Sequence, residues 1–124
     1  EAGLGFAVAF DKQTPFLGRE ALLRQREQGV RRRLAIFTLD DSSQSIFHDE
    51  PIWADGKIVG RMTSGGFGFT IERPVGLGYV ALEPGEDLKS MAGRRFEIEI
   101  AGDRFAARMH LRAPHDPDGT RIRA

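Results

Sequence analysis

The chain has 124 residues, no cysteine, and 18 lysines plus arginines against 18 aspartates plus glutamates, so its formal net charge is zero. That length suits a single domain able to bury its own core. Without cysteine there are no disulfides, thiolate nucleophiles or cysteine-ligated metals, and the balanced charge supplies no long-range pull toward nucleic acid or an anionic membrane.

The first segment, GLGFAVAF at 3–10, sets Leu4, Phe6, Val8 and Phe10 against Ala7 and Ala9, and no charge interrupts residues 2–10. This alternation predicts an extended strand that needs an apolar partner. Such a segment, with no initial methionine, reads as the middle of a longer protein. Left unpaired, it would favour a homodimer. No apolar run approaches the roughly 18–20 residues that span a bilayer, and the first residues lack the positive region of a signal peptide. The default compartment is cytoplasmic, or mitochondrial if the parent protein is eukaryotic. Next, GREALLRQREQG predicts a helix over about 18–28, with Ala21, Leu22 and Leu23 as a short apolar stripe and Gly29 as its C-cap. Residues 1–30 thus form a lead-in segment and helix.

From 31 onward the pattern is β. RRRLAIFTL at 31–39 carries apolar residues on both faces. Asp55-Gly56 between Ile52-Trp53 and Lys57-Ile58-Val59 is a type I′ hairpin signature. VGLGYVAL at 75–82 makes a further strand and EPGEDL at 83–88 a turn. Phe96, Ile98 and Ile100 alternate with Arg95, Glu97 and Glu99; a turn at Gly102-Asp103 follows, then Phe105, Ala107, Met109 and Leu111 alternate with polar neighbours. The expected fold is mainly β: a small antiparallel Greek-key barrel of about six strands over 31–124, with one N-terminal α-helix.

GRMTSGGFGFT at 60–70 has the glycine density of a phosphate loop but no lysine at the mouth of a helix, so a strand bent at Gly65, Gly66 and Gly68 is the better reading. Gly76, Gly78 and Ala81 match a dinucleotide-binding spacing inside a strand that opens no helix, which makes the match a coincidence. His48-Asp49-Glu50 reads as a solvated loop and not a metal site, and His110 and His115 as surface groups. Ser64 is not in a nucleophile elbow, so no catalytic residue is assigned. Arg31-Arg32-Arg33, with Phe37 and Trp53 as stacking surfaces, is the feature closest to an RNA contact.

GLGFAVAFDKQTPFLGREALLRQREQG resembles the Gly-Leu-Gly … Phe-Ile-Gly-Arg-x-Ala-Leu segment of the aminomethyltransferase family, the glycine-cleavage T-protein and its relatives. EPIWADGKIVGRMTSGGFGFTIERPVGLGYV and PHDPDGTRIR resemble that family's later motifs, in the same order. The lead-in and the double arginine before LAIFTLDD look most similar to the C-terminal part of flavin-dependent dimethylglycine and sarcosine dehydrogenases. The resemblance implies a C-terminal barrel that closes over a folate-binding domain whose essential aspartate this segment lacks. Tetrahydrofolate and FAD are then implied for the parent and neither for this fragment, which is expected to be inactive alone. Its partners are the folate-binding and flavin domains of the same chain. On this basis Thr63, Ser64, Gly65, Phe67 and His115 are the candidate folate-facing or interface residues. The sequence departs from the family at Phe69-Thr70, where Ser-Pro is usual, and at His115, where the family has tyrosine. The alternatives are a free-standing aminomethyltransferase, a folate-linked RNA-modification module, and a purely structural interaction domain.

Overall fold

Strand β1 (Arg32–Leu39) sends Ala35, Phe37 and Leu39 inward, where all three are buried, and leaves Leu34 and Ile36 half-buried on the outside. In the computed structural model, which describes residues 1–123, β1 is one stave of a closed six-strand barrel. The other staves are β2 (Pro51–Ala54), β3 (Lys57–Gly68), β4 (Arg73–Ala81), β5 (Phe96–Ile100) and β6 (Asp103–His110). Every pairing is antiparallel, in the order β1-β4-β3-β2-β5-β6, with β6 returning to β1. Strands β2, β3 and β4 follow one another as hairpins while β1 lies beside β4, which is the Greek-key arrangement.

The turns carry out what their residues allow. Asp55 and Gly56 take φ of 49° and 81°, the pair of positive values that a type I′ hairpin needs. In the second hairpin the positive pair is Ala101 and Gly102, at 52° and 92°, one residue earlier than the expected Gly102-Asp103 turn. Asp103 is already paired with Ile100. That register puts Ile98 opposite Phe105 on the core side, and a one-residue slip would turn both outward.

Phe37 and Phe96 meet edge to face at 5.4 Å in the core, with Ile52, Met62, Val80, Met91 and Ile98 packed around them. Met91 belongs to a single helical turn, α2 (Leu88–Met91), within a connection that the sequence marks only as a turn. Its start is fixed by a capping box in which the Ser90 amide donates to the Asp87 carboxylate at 2.8 Å.

The barrel is narrow enough that glycine is required where strands β3 and β4 cross its interior. A Cβ on Gly60 would collide with the Tyr79 carbonyl, one on Gly76 would stand 2.7 Å from the Ser64 carbonyl oxygen, and one on Gly78 would stand 2.8 Å from that of Arg61. The bulge expected at Gly65, Gly66 and Gly68 lies instead at Thr63, the extra residue between Met62 and Ser64. The Thr63 hydroxyl donates to the Leu77 carbonyl at 3.0 Å and so pins the bulge to β4.

The lead-in departs from expectation. Residues 3–10 form a 3-10 turn at Gly5–Ala7 and no strand, with Gly3 at φ 78° and Phe6 87% exposed. The unpaired strand edge on which a homodimer was expected is therefore absent from this segment. The helix α1 (Arg19–Gln28) forms as the composition predicts and ends at Gly29, φ 76°. Arg19 Nη2 donates to the Phe10 carbonyl at 3.1 Å, and the Arg26 guanidinium stands 4.6 Å above the Phe10 ring, so the helix is tied to the lead-in.

The seam between β1 and β6 closes with polar groups. Thr38, buried on the outer face, lies 2.8 Å from Nε2 of His110. Beside it, Arg108 and Arg73 both reach the Asp40 carboxylate, at 3.0 and 3.3 Å.

Two measurements test this architecture. Gly60→Ala forces backbone apart at the β3–β4 crossing and is expected to destabilise the barrel by about 1–3 kcal/mol, read as a lower urea midpoint with unchanged slope. Burial, then the Arg108 charge, lowers the His110 pKa below its usual 6.5. The unfolded chain therefore binds a proton that the folded chain refuses, so this contribution is complete above pH 6.5 and falls away as pH drops below it. Urea midpoints between pH 8 and 5 should fall less steeply for His110→Gln than for the wild type; parallel curves would disprove the linkage.

Candidate functional site

Beyond Met62, strand β3 has no partner strand on its β2 side. The last main-chain bonds to the preceding loop are Met62 to Glu50, 2.9 Å, and Asp49 to Met62, 2.8 Å. From Thr63 to Gly68 the strand is paired on one side, to β4, and forms a projecting hairpin. Among the described residues no charged side chain occurs from Met62 to Ile71.

Thr63, Ser64, Gly65 and Phe67 all lie on this hairpin, exposed, but on two different sides. Ser64 pairs with the outward Leu77. Gly65 pairs with the inward Gly76 and lies against Ile46, where a Cβ would strike the Ile46 carbonyl. Phe67 pairs with buried Pro74 and stacks edge to face on Phe69 at 5.3 Å. Phe67, Phe69 and Phe47 remain 45%, 85% and 67% exposed; Phe67 and Phe47 line a hollow of about 150 Å³, and Phe69 packs on Phe67 as an aromatic cluster beside it. Phe69, noted from the sequence as a departure from the family pattern, belongs to this cluster.

His115 is not brought to the hairpin by any hydrogen bond or ion pair among the described residues; it sits exposed in the tail after β6. There Asp116 accepts from the Thr120 and Arg121 amides at 2.9 and 3.0 Å, which folds the tail on itself.

Sequence reasoning missed the groups that shape the hairpin's base. Glu50 Oε1 accepts from the Phe47 amide at 2.9 Å and closes the loop that carries Ile46 and Phe47. Asp40 gathers Arg73 and Arg108 from strands distant in sequence. The Asp40 contacts join residues 33 and 68 positions apart, which nothing local signals. Gly76 and Gly78, set aside as a coincidental dinucleotide spacing, are required by packing against Met62 and Ile52.

Four of the polar side chains are engaged in structure, while buried Glu50 Oε2 has no hydrogen-bond partner among the described residues. Thr63 donates to a carbonyl, His110 bonds Thr38, Glu50 caps a loop and Trp53 Nε1 donates to Glu99 at 2.9 Å beneath Arg104. No cluster of three metal-ligating side chains occurs among the described residues. The hollow at the hairpin is below the several hundred Å³ of a drug-sized ligand site, so these residues do not by themselves fit tetrahydrofolate. Nor does the glycine spacing at Gly76–Ala81 fit FAD, because it lies within a barrel strand against Met62 and Ile52. A larger cavity, about 540 Å³, lies elsewhere, between the lead-in and α1, lined by Leu4, Val8, Phe10, Leu22 and Val30.

Comparison with known proteins places this geometry. The chain is 38% identical over 99% of its length to mouse (Mus musculus) mitochondrial sarcosine dehydrogenase, and it spans 14% of that protein. It is 38% identical over 98% of its length to 4-methylaminobutanoate oxidase (formaldehyde-forming) of Paenarthrobacter nicotinovorans, again covering 14%. Among solved structures, the glycine cleavage system aminomethyltransferase T from Bartonella henselae superposes with a TM-score of 0.63 at 27% identity, over 77% of this chain and 25% of that one. Residues 32–116, from the start of β1 to just beyond β6, match the glycine cleavage T-protein C-terminal barrel domain, and the chain belongs to that family.

Proposed function

We propose that this chain is the C-terminal barrel of a flavin-dependent dehydrogenase of N-methyl amines such as sarcosine or dimethylglycine, and that it acts by closing and supporting a folate-binding domain. The observation that carries the reading is the match of 99% of the chain, lead-in and helix included, to sarcosine dehydrogenase, at 38% identity. The aminomethyltransferase of Geobacillus kaustophilus, at the same 38% identity, matches over 86% of the chain, as does human dimethylglycine dehydrogenase at 33%, so it is the longer match to sarcosine dehydrogenase that favours the dehydrogenase reading.

In the parent, an N-methyl group would be oxidised and its carbon passed to tetrahydrofolate. This chain's part is positional. The Thr63 hydroxyl, the His110 imidazole and one Glu50 carboxylate oxygen are held in strand seams and a loop cap, which supports a positional role. The hairpin with Thr63, Ser64, Gly65 and Phe67 offers an uncharged, partly aromatic surface suited to a neighbouring domain. His115, in the tail, keeps an aromatic ring and a polar handle where relatives carry tyrosine. A mitochondrial compartment follows if the parent is eukaryotic, as for the mouse relative.

The full reading frame that contains Glu1–Ala124 decides the matter. It is expected to encode a flavin-binding segment upstream and, when expressed, to reduce an artificial electron acceptor with sarcosine or dimethylglycine. With tetrahydrofolate present, 5,10-methylene-tetrahydrofolate should replace formaldehyde as product. A frame without that segment that transfers an aminomethyl group would overturn the dehydrogenase reading in favour of the free-standing transferase.

A further inference from the structure

All but one of the glycines in the β3–β4 hairpin beyond the bulge have a reason inside the chain. A Cβ on Gly65 would strike the Ile46 carbonyl, one on Gly68 would stand 2.8 Å from Ile71, and one on Gly76 would stand 2.7 Å from Ser64. Gly66 has none. Its φ lies outside the left-handed region and a Cβ there would meet nothing within 4 Å. Glycine inside a strand weakens it, and commonly marks a place where another backbone comes close. Among the described residues, no atom beyond the chain neighbours of Gly66 lies within 4 Å of that Cβ position.

The cross-strand register shows what surrounds it. Gly66 pairs with Val75, Val75 with Thr38, and Thr38 with Arg108; in the next row Ser64 pairs with Leu77, Leu77 with Ile36, and Ile36 with His110. On the outer face of the barrel, then, Ser64, Gly66, Val75, Leu77 and Ile36 make a smooth patch of small and apolar side chains. Arginines fringe it. Arg73 and Arg108 share Asp40, while Arg61 reaches the Asp49 carbonyl at 3.4 Å and no carboxylate among the described residues.

We infer that this outer face is where the preceding domain of the parent chain packs, with its main chain passing over Gly66. The partner surface is apolar at its centre and carries carboxylates opposite Arg61, Arg73 and Arg108. This rests on the multidomain reading above, in which the chain corresponds to 14% of its relatives' length and the rest of the polypeptide supplies the occupant. A second copy of the chain fits worse, because a two-fold interface would set the arginine fringe against itself.

The test is Gly66→Leu, made both in the 124-residue chain and in the full reading frame. In the short chain the new side chain enters open space, so its thermal unfolding should stay at the wild-type temperature or rise. In the full protein the same change should loosen the barrel from its neighbour, and limited proteolysis between the two should quicken about tenfold. Equal proteolysis of wild type and variant would overturn the inference. So would a barrel unfolded by Gly66→Leu, since the glycine would then have an internal cause. A concentration-dependent dimer of the short chain that Gly66→Leu dissociates would assign the face to a second copy instead. Because proteolysis needs no turnover, domain uncoupling in a protein that oxidises no N-methyl amine would leave this inference standing and remove the proposed function.

Discussion

The backbone crossing of β3 and β4 is the constraint on which the rest of the molecule depends. At Gly60 and Gly78 a neighbouring strand's carbonyl occupies the space of a Cβ, so the sheet curls tightly enough for six short strands to close. Closure removes open edges from the wall and brings Phe37 onto Phe96 across a core only a few side chains wide. A larger residue at either position would push the two strands apart and strain the closure that β1 and β6 complete where Thr38 meets His110.

The same curvature explains why β3 overshoots. It has twelve residues while its neighbour β2 has four, so β3 runs past the last rung with β2 and carries β4 out with it. The Thr63 bulge absorbs the change of direction, and side chains on either side of it face opposite ways along the projection. A barrel of this kind gives a rigid base to a hairpin whose residues have little to hold onto within the chain. The asymmetry lies between a base packed against Ile46 and a tip whose Phe67 and Phe69 stay exposed.

Proteins similar to this chain differ in activity, and include a pyruvate dehydrogenase phosphatase regulatory subunit at 39% identity as well as dehydrogenases and transferases. The barrel residues explain how one scaffold serves them. Polar groups such as Thr63, His110 and Glu50 hold its seams and a loop cap, apart from the outward surfaces. Function in such a domain lies in what it touches, which fold alone does not name.

By itself the sequence determined the local elements. Asp55-Gly56 could form only a turn with two positive φ values, GREALLRQREQ only a helix closed by Gly29, and the alternation after Phe96 only a half-buried hairpin, because each depends on residues adjacent in the chain. The collinear motifs gave the family. The tertiary structure decided everything set by residues far apart. It converted GLGFAVAF from an expected strand into a 3-10 turn, because period-2 alternation makes a strand only where a sheet edge is there to receive it. It moved the bulge from the glycines to Thr63, and it divided Ser64 and Gly66 from Gly65 and Phe67, because the face a strand residue occupies is fixed by its register with β4. It also joined Asp40 to arginines on β4 and β6 and left Gly66 bare. Glycines that look alike in a sequence differ only in what the folded chain brings against them.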